Sequence, residues 1–262
     1  RGTVGEVYPA KGPAVIRSLS AAQRAMQMEQ SRIDALANNL ANVNTAGFKQ
    51  VLTRIAEAQT VSGSPEEGGA PIRIAPDGLE MYHALDARPG QVRATGRDTD
   101  VAVVGRGFFA VETGQGKAYT RHGSFLLDQE QRLITPDGHP VLGEKGPVTL
   151  DGTDFEIGND GAVSVDGQLV DRLLLVDFED PSQLTHLGGS LLAPPPDMEA
   201  VPVPAAEAAV AQGHLEGSNV NPIDTLVAMI AAQRAFEVQS KVMQTEDEML
   251  EKSVNNLPRI GS

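Results

Sequence analysis

The chain has 262 residues, 40% of them apolar and only 4% aromatic, with no tryptophan and no cysteine. Its 21 basic and 35 acidic side chains leave a formal net charge of −14, a field that repels phosphate backbones, and no Lys/Arg cluster offsets it, so nucleic acid is excluded as a partner. The missing cysteine excludes disulfides, thiolate chemistry and cysteine-ligated zinc.

Residues 1–10 lack the apolar run of about 7–15 residues that a Sec signal needs, so if the protein leaves the cytoplasm, either a signal is missing from this sequence or another route is used. No segment reaches the ~18–20 apolar residues of a membrane span, so direct membrane insertion is not expected. Over 15–43, Leu19, Met26, Ile33 and Leu40 recur every seven residues, with Ala22, Leu36 and Val43 at offset positions. That spacing predicts a long helix with a packing seam, interrupted at Glu29. At ~1.5 Å per residue it would be roughly 40 Å long. Gly47, behind Asn42, Asn44 and Thr45, is the predicted stop, since glycine accepts the left-handed conformation after a helix end. Asn38, Asn39, Asn42 and Asn44 leave two readings open: an Asn-rich helix end, or amides that bond neighbouring helices and fix their register.

Residues 60–75, rich in Gly, Pro and Glu, read as a connector. Turns then follow at Pro76-Asp77-Gly78, Pro136-Asp137-Gly138, Asp151-Gly152, Asn159-Asp160-Gly161 and Asp166-Gly167. Between them the runs 100–104, 108–112, 117–121, 124–127, 132–135, 162–165 and 173–178 have strand character. They predict an antiparallel β domain over 92–192. A Pro/Ala/Glu-rich second connector runs through 193–211. Asn221-Pro222-Ile223-Asp224 reads as an N-cap, a first-turn proline and an acid facing the positive helix end. Met229, Phe236, Met243, Leu250 and Leu257 again fall every seven residues, widened by Ala228, Ala235, Val242 and Met249. This helix is predicted to end near Val254, before Pro258.

The fold class expected is therefore α+β, with long N- and C-terminal helices pairing as a coiled-coil-like helical domain and an all-β domain inserted between them. The expected division is 1–14 as an extension, 15–45 with 220–257 as the helical domain, 46–91 and 193–219 as connecting segments, and 92–192 as the β domain.

None of the five histidines, His83, His122, His139, His186 and His214, has a second ligand type three or four residues on. No G-x-S-x-G elbow is present. Gly105-Arg106-Gly107 leads into a strand-like run, where a phosphate loop needs a helix N-terminus. The Asp151–Asp154 and Asn159–Gly161 turns lack the bidentate glutamate of a calcium loop. No catalytic, cofactor-binding or metal-ligating residue is expected, and no cofactor. Asp98, Asp100 and Glu112 keep open an enzyme with a carboxylate pair, such as a cell-wall glycosidase.

Ala37-Asn-Asn-Leu-Ala-Asn-Val-Asn-Thr-Ala-Gly-Phe48-Lys49 resembles the N-terminal signature of flagellar axial proteins, those of the rod and hook. Leu215-Glu-Gly-Ser-Asn-Val-Asn221, then Met229-Ile230, Gln233–Glu237 and Lys241–Met243, is similar to their C-terminal signature. Asp100–Val111 and Tyr119–Phe125 resemble their shared β region. Within the family the chain resembles basal-body rod proteins of the FlgF/FlgG type. Gly138–Pro147 is similar to FlgF and the run starting at Val15 to FlgG, with FlgF favoured. It is shorter than a typical hook protein.

The resemblance implies a structural subunit, not an enzyme, that polymerises into a helical drive-shaft. Its terminal helices would form the inner tube and its β domain would lie outside. Implied partners are copies of itself, neighbouring rod subunits and the flagellar type III export apparatus. The implied location is the basal-body rod crossing the periplasm, reached without a cleaved Sec signal. Seams and motifs together mark Leu19, Met26, Ile33, Leu36, Asn39, Leu40, Asn42, Val43, Thr45, Gly47 and Phe48 as assembly-interface residues near one end. Near the other they mark Ser218, Asn219, Val220, Met229, Ile230, Arg234, Phe236, Met243 and Leu250. Before assembly the termini are expected to be loosely ordered. The alternatives are a secreted β-domain binding module dimerised by its helices and a hook-type axial protein.

Overall fold

Helix α1 (Gly12–Ala41) opens the part of the chain that the structure, a computed structural model, describes: residues 12–57, 79–152, 154–205, 207 and 209–255. Most of the expected extension, the 60–75 connector, the turn at 76–78 and the tail from 256, with Leu257 and Pro258, lie outside the described residues. After α1 come the hairpin strands β1 (Val51–Glu57) and β2 (Leu79–Leu85), then β3 (Val92–Ala94) and β4 (Val101–Val103). The middle of the chain continues with β5 (Phe108–Thr113), β6 (Gly116–Thr120), β7 (Leu126–Leu127) and β8 (Leu133–Ile134). Next are β9 (Phe155–Ile157), β10 (Ala162–Val165), β11 (Gln168–Arg172) and β12 (Leu175–Asp177), and a 3-10 turn, Pro181–Gln183. The last strands are β13 (Thr185–Gly188), β14 (Leu191–Ala193), β15 (Val201–Pro202), β16 (Val210–Gln212) and β17 (His214–Glu216), before helix α2 (Pro222–Asn255).

Strands β13-β14-β6-β5-β12-β15 form a six-stranded sheet, and β11-β10-β9 a three-stranded one. Strand β5 is buried on both faces because two cores flank it. Phe109 and Val111 enter one core with Phe125, Leu133 and Val163. Phe108 and Ala110 enter the other with Tyr119, Phe178 and Leu192. The alternation of a strand assigns successive residues to opposite faces, so one apolar run serves both. Ring contacts fix each core, with Phe109 edge-on to Phe125 at 5.1 Å and Tyr119 edge-on to Phe178 at 5.0 Å.

The chain divides into two compact units, Arg1–Ala37 with Leu226–Ser262, and Asn38–Thr225. The β-rich unit extends beyond 92–192: β1 and β2 precede those residues, and β15, β16 and β17 follow them.

The helical part of the expected fold class is corrected by the structure. There is one helix at each end and a large β-rich middle, and the two helices are not a paired coiled coil. A coiled-coil seam removes its heptad residues from water. Here Met26, Ile33, Leu40, Met229, Phe236 and Met243 all stay half-exposed, while Val242 and Met249 are exposed at 48% and 65%. The reason lies in the period. A straight helix drifts ~20° per heptad against a strict seven-residue repeat, so a heptad line walks off any one face unless the helices supercoil. Along Ala228, Ala235, Val242 and Met249 the drift is visible, since the first two are half-buried and the last two are not. Among the described side chains, the buried positions in the helices are Ala35, Asn39, Thr225 and Ala232, none of them large apolar seam residues. Among the described residues no helix is long and apolar enough to cross a membrane.

Candidate functional site

The two sequence motifs at the chain ends meet within the β-rich unit. Asn39, on the last turn of α1, is fully buried and pairs with β1 as a strand would: its amide nitrogen donates to the Val51 carbonyl at 2.8 Å, and its amide oxygen accepts from the Val51 N–H at 2.8 Å. Asn219 does the same from the other end of the chain. Its oxygen accepts from the Gln50 N–H at 2.8 Å, and its nitrogen donates to the carbonyls of Asp86 and Arg88. Asn42 accepts from the Thr45 hydroxyl at 3.1 Å and donates to the Asn38 carbonyl, which closes the helix end. The Ser218 hydroxyl accepts from the Val220 N–H, and Val220 is buried. Asn221 caps α2, its oxygen accepting from the N–H groups of Ile223 and Asp224.

Glu216, at the end of β17, is the point where these segments converge. Its carboxylate has no exposed side-chain area and accepts from Lys49 Nζ at 2.5 Å, from the Gly90 N–H at 2.8 Å and from Arg121 Nη1 at 3.1 Å. Its carbonyl accepts from the Gly47 N–H at 2.8 Å. Lys49 also donates to the Arg88 carbonyl, and Arg121 donates to the Gly105 carbonyl and lies 5.1 Å over the Phe108 ring. Burial pushes the Lys49 ammonium below its ordinary range, and the Glu216 carboxylate opposes that. The Arg121 guanidinium is pushed down by burial and held up by Glu216 in the same way.

Phe48 is buried and stacks on His186, ring centroids 4.8 Å apart. His186 Nε2 lies 3.0 Å from the Lys49 carbonyl, which can only accept, so Nε2 carries the hydrogen. Burial lowers the His186 pKa and also that of His122. A folded pKa below the unfolded value near 6.5 means that acid favours the unfolded chain. Stability is full above that value, falls as pH drops through it, and stops falling once the folded form also protonates. Denaturant unfolding between pH 7.5 and 5.5 should therefore show stability decreasing with acid, by up to about 1.4 kcal/mol per pH unit for each histidine. His186→Gln and His122→Gln should each flatten the slope, and an unchanged slope in both would refute the assignment.

A groove of about 840 Å³ lies beside this junction, between Val43 and Asn44 in the turn after α1, the 88–91 segment, and 215–222. Of the residues marked for assembly, Asn39, Asn42, Val43, Thr45, Gly47, Phe48, Ser218, Asn219 and Val220 thus gather at one junction inside the subunit. Leu19 and Leu250 lie on the helices, but their side chains are outside the described residues.

In the helical unit, α2 carries two apolar faces. Ala228, Met229, Ala235, Phe236 and Met243, all half-exposed, form a partly shielded face with the fully buried Ala232. On the opposite side Val227, Ile230 and Val238, with Arg234 among them, form a second stripe that stays exposed, in line with Ile223 in the first turn of α2. At 100° per residue the two stripes point to opposite sides of the helix. The heptad reading registered the first and missed the second, although spacings of three and four from Ile223 through Val227 and Ile230 carry it. It also missed Arg121 and Glu216 as partners of Lys49, because nothing local marks a carboxylate as buried.

The β-rich unit thus ties residues 38–50 to 214–225, and α2 keeps uncovered apolar surface. Three family models match in chain order: a flagella basal body rod protein model over residues 19–49, a flagellar hook protein FlgE/F/G D1 domain over 102–165, and a flagellar basal body rod FlgEFG protein C-terminal region over 211–257. The chain is 33% identical to the flagellar basal-body rod protein FlgG of Bacillus subtilis, covering 92% of this chain and 99% of the relative. It is 34% identical to the flagellar basal-body rod protein FlgF of Caulobacter vibrioides, covering 87% and 93%. It is 30% identical to FlgG of Agrobacterium fabrum, covering 89% and 97%. The chain belongs to the flagellar basal-body rod protein family and is of the FlgF/FlgG type. It is a structural subunit of the flagellar basal body that assembles with other rod subunits, and it is not an enzyme.

Proposed function

We propose that this rod subunit polymerises with copies of itself and with neighbouring rod subunits through its helical part, 15–45 with 220–257, and that the exposed stripe of α2 is a principal contact surface. The observation that carries the reading is the exposure of Ile223 at 72%, Val227 at 62% and Val238 at 62% on one face of a helix whose other face is half-buried. Each Å² of such surface covered by a neighbour contributes ~25 cal/mol, so the stripe is stabilised only in the assembly. A head-to-tail contact that does not close on itself gives a helical filament, which suits a rod. The half-buried residues Met26, Ile33, Leu36 and Leu40 of α1, and Met229, Phe236 and Met243 on the opposite face of α2, are further assembly contacts in this reading, with Ile230 and Arg234 on the outer side. Export through the flagellum's own type III apparatus, without a cleaved Sec signal, belongs to the reading too, and family membership supports it.

Val227→Asp and Val238→Asp test the proposal. Each places a charge where a neighbour would have to desolvate it, so filament formation and swimming should be lost. The melting temperature of the isolated subunit should move by no more than 1–2 °C, since substitutions at exposed sites stay within about ±0.5 kcal/mol. Normal swimming with both variants would remove α2's outer face from the assembly surface.

A further inference from the structure

Two buried cations share one carboxylate at the junction, and the three charges come from three separate parts of the chain. Lys49 follows α1, Arg121 follows β6 in the sheet body, and Glu216 ends β17 just before α2. The side chains of Lys49 and Glu216 are 0% exposed and that of Arg121 is 4% exposed. We infer that Glu216 is a positioning residue that makes docking of the two helix roots a single event: the N-terminal root, 38–50, docks on the β body only when the C-terminal root, 214–225, is in place.

The argument is electrostatic. Without Glu216 the corner would hold Lys49 and Arg121 as buried cations with no counter-charge, a state far costlier than the solvated one. Other contacts follow the same dependence. The Gly47 N–H has the Glu216 carbonyl as its acceptor, the Gln50 N–H has the Asn219 side chain, and the Gly90 N–H has the Glu216 carboxylate. Two donors of the N-terminal root, with Gly90 beside them, are thus satisfied by C-terminal acceptors, and donors left unmatched away from water carry a desolvation cost. In the converse direction hydrogen bonds, not charge, carry the dependence: undocking 38–50 leaves Glu216 paired with Arg121 and the Gly90 N–H, but takes the Gly47 N–H from the Glu216 carbonyl and the Gln50 N–H from Asn219. The border of order in the free subunit then falls at the roots rather than at the ends of the β sheet. The expected loose order of the termini applies to the helices beyond Asn38 and Thr225. This holds whether or not α2's outer stripe makes the filament contact, since every residue used lies inside one subunit.

Amide hydrogen exchange on the full-length monomer tests it. In the wild-type chain the Gly47, Gln50 and Val51 amides should open together with Gly217, Asn219 and Thr225, with protection factors agreeing within about threefold. Glu216→Gln should lower protection in both roots by about 100- to 1,000-fold, while Val111 and Ala118 in the β5–β6 hairpin keep theirs. Lys49→Met in the Glu216→Gln background is the decisive arm, because it removes one of the two stranded cations. Protection should recover by at least about tenfold over Glu216→Gln alone, whereas a purely packing role for either side chain makes the double variant worse. The inference is overturned if Glu216→Gln affects the C-terminal root alone, or if the double variant shows no recovery.

Discussion

Replacing Phe109 with alanine is expected to destabilise the β-rich unit by about 3–5 kcal/mol, the range for a large aromatic removed from a packed core. Phe109 has no exposed surface, packs edge-on against Phe125 and sits among Val101, Val111 and Leu175 in the larger core. Its neighbours cannot collapse into the space. They are held by ladder hydrogen bonds of β5 with β6 on one side and β12 on the other. The cavity therefore persists and adds its own cost to the lost transfer energy. With a typical domain stability of ~5–15 kcal/mol, this one change removes a large share. Urea unfolding followed by tyrosine fluorescence or circular dichroism measures it, with Ile223→Ala, exposed at 72%, as the control that should change stability by less than about 0.5 kcal/mol. A cost below 1 kcal/mol for Phe109→Ala would mean that β5 does not sit at the centre of a shared core.

Gly47→Ala should be nearly as damaging, for a reason unrelated to apolar burial. Gly47 has φ +65°, and a Cβ built on it would lie 2.2 Å from the Arg121 carbonyl carbon and 2.3 Å from the His122 nitrogen. Those are backbone atoms, so no side-chain rotation relieves the clash. Either 45–49 lifts away, breaking the Gly47–Glu216 hydrogen bond, or the chain at Arg121 shifts and disturbs the buried ion cluster. The left-handed conformation costs alanine ~1 kcal/mol by itself, and the displacement should bring the total to about 3 kcal/mol or more. Gly138→Ala separates the two effects, since Gly138 has φ +85° with open space around it. It should cost only the conformational ~1 kcal/mol. Equal losses for Gly47→Ala and Gly138→Ala in denaturant titrations would show that the close approach to Arg121 does not exist.

Local chemistry determined much of this protein by itself. Asn221-Pro222-Ile223-Asp224 starts α2 because the cap and the first-turn proline act within four residues of one another. Turns such as Asp160-Gly161 and Asp166-Gly167 follow from the few residue types that tolerate positive φ, and both Gly161 and Gly167 adopt it. The motifs at the two ends, with the β region between them, were enough to identify the rod family. Tertiary structure alone decided what those motifs do. Asn39 reads as an interhelical amide or part of a helix end and Asn219 as part of a motif, yet each completes a strand-like pairing with backbone that no local pattern brings near. Lys49 and Glu216 are 167 positions apart, and within their own segments each looks like an ordinary solvated charge. The helix seams show the same limit from the other direction. Periodicity states which residues can share a face, but whether that face is buried depends on the partner presented to it. A strict heptad line stays on one face only if the helices supercoil. Burial, pairing and charge compensation are properties of two or more segments at once, and so they are decided only where the chain brings those segments together.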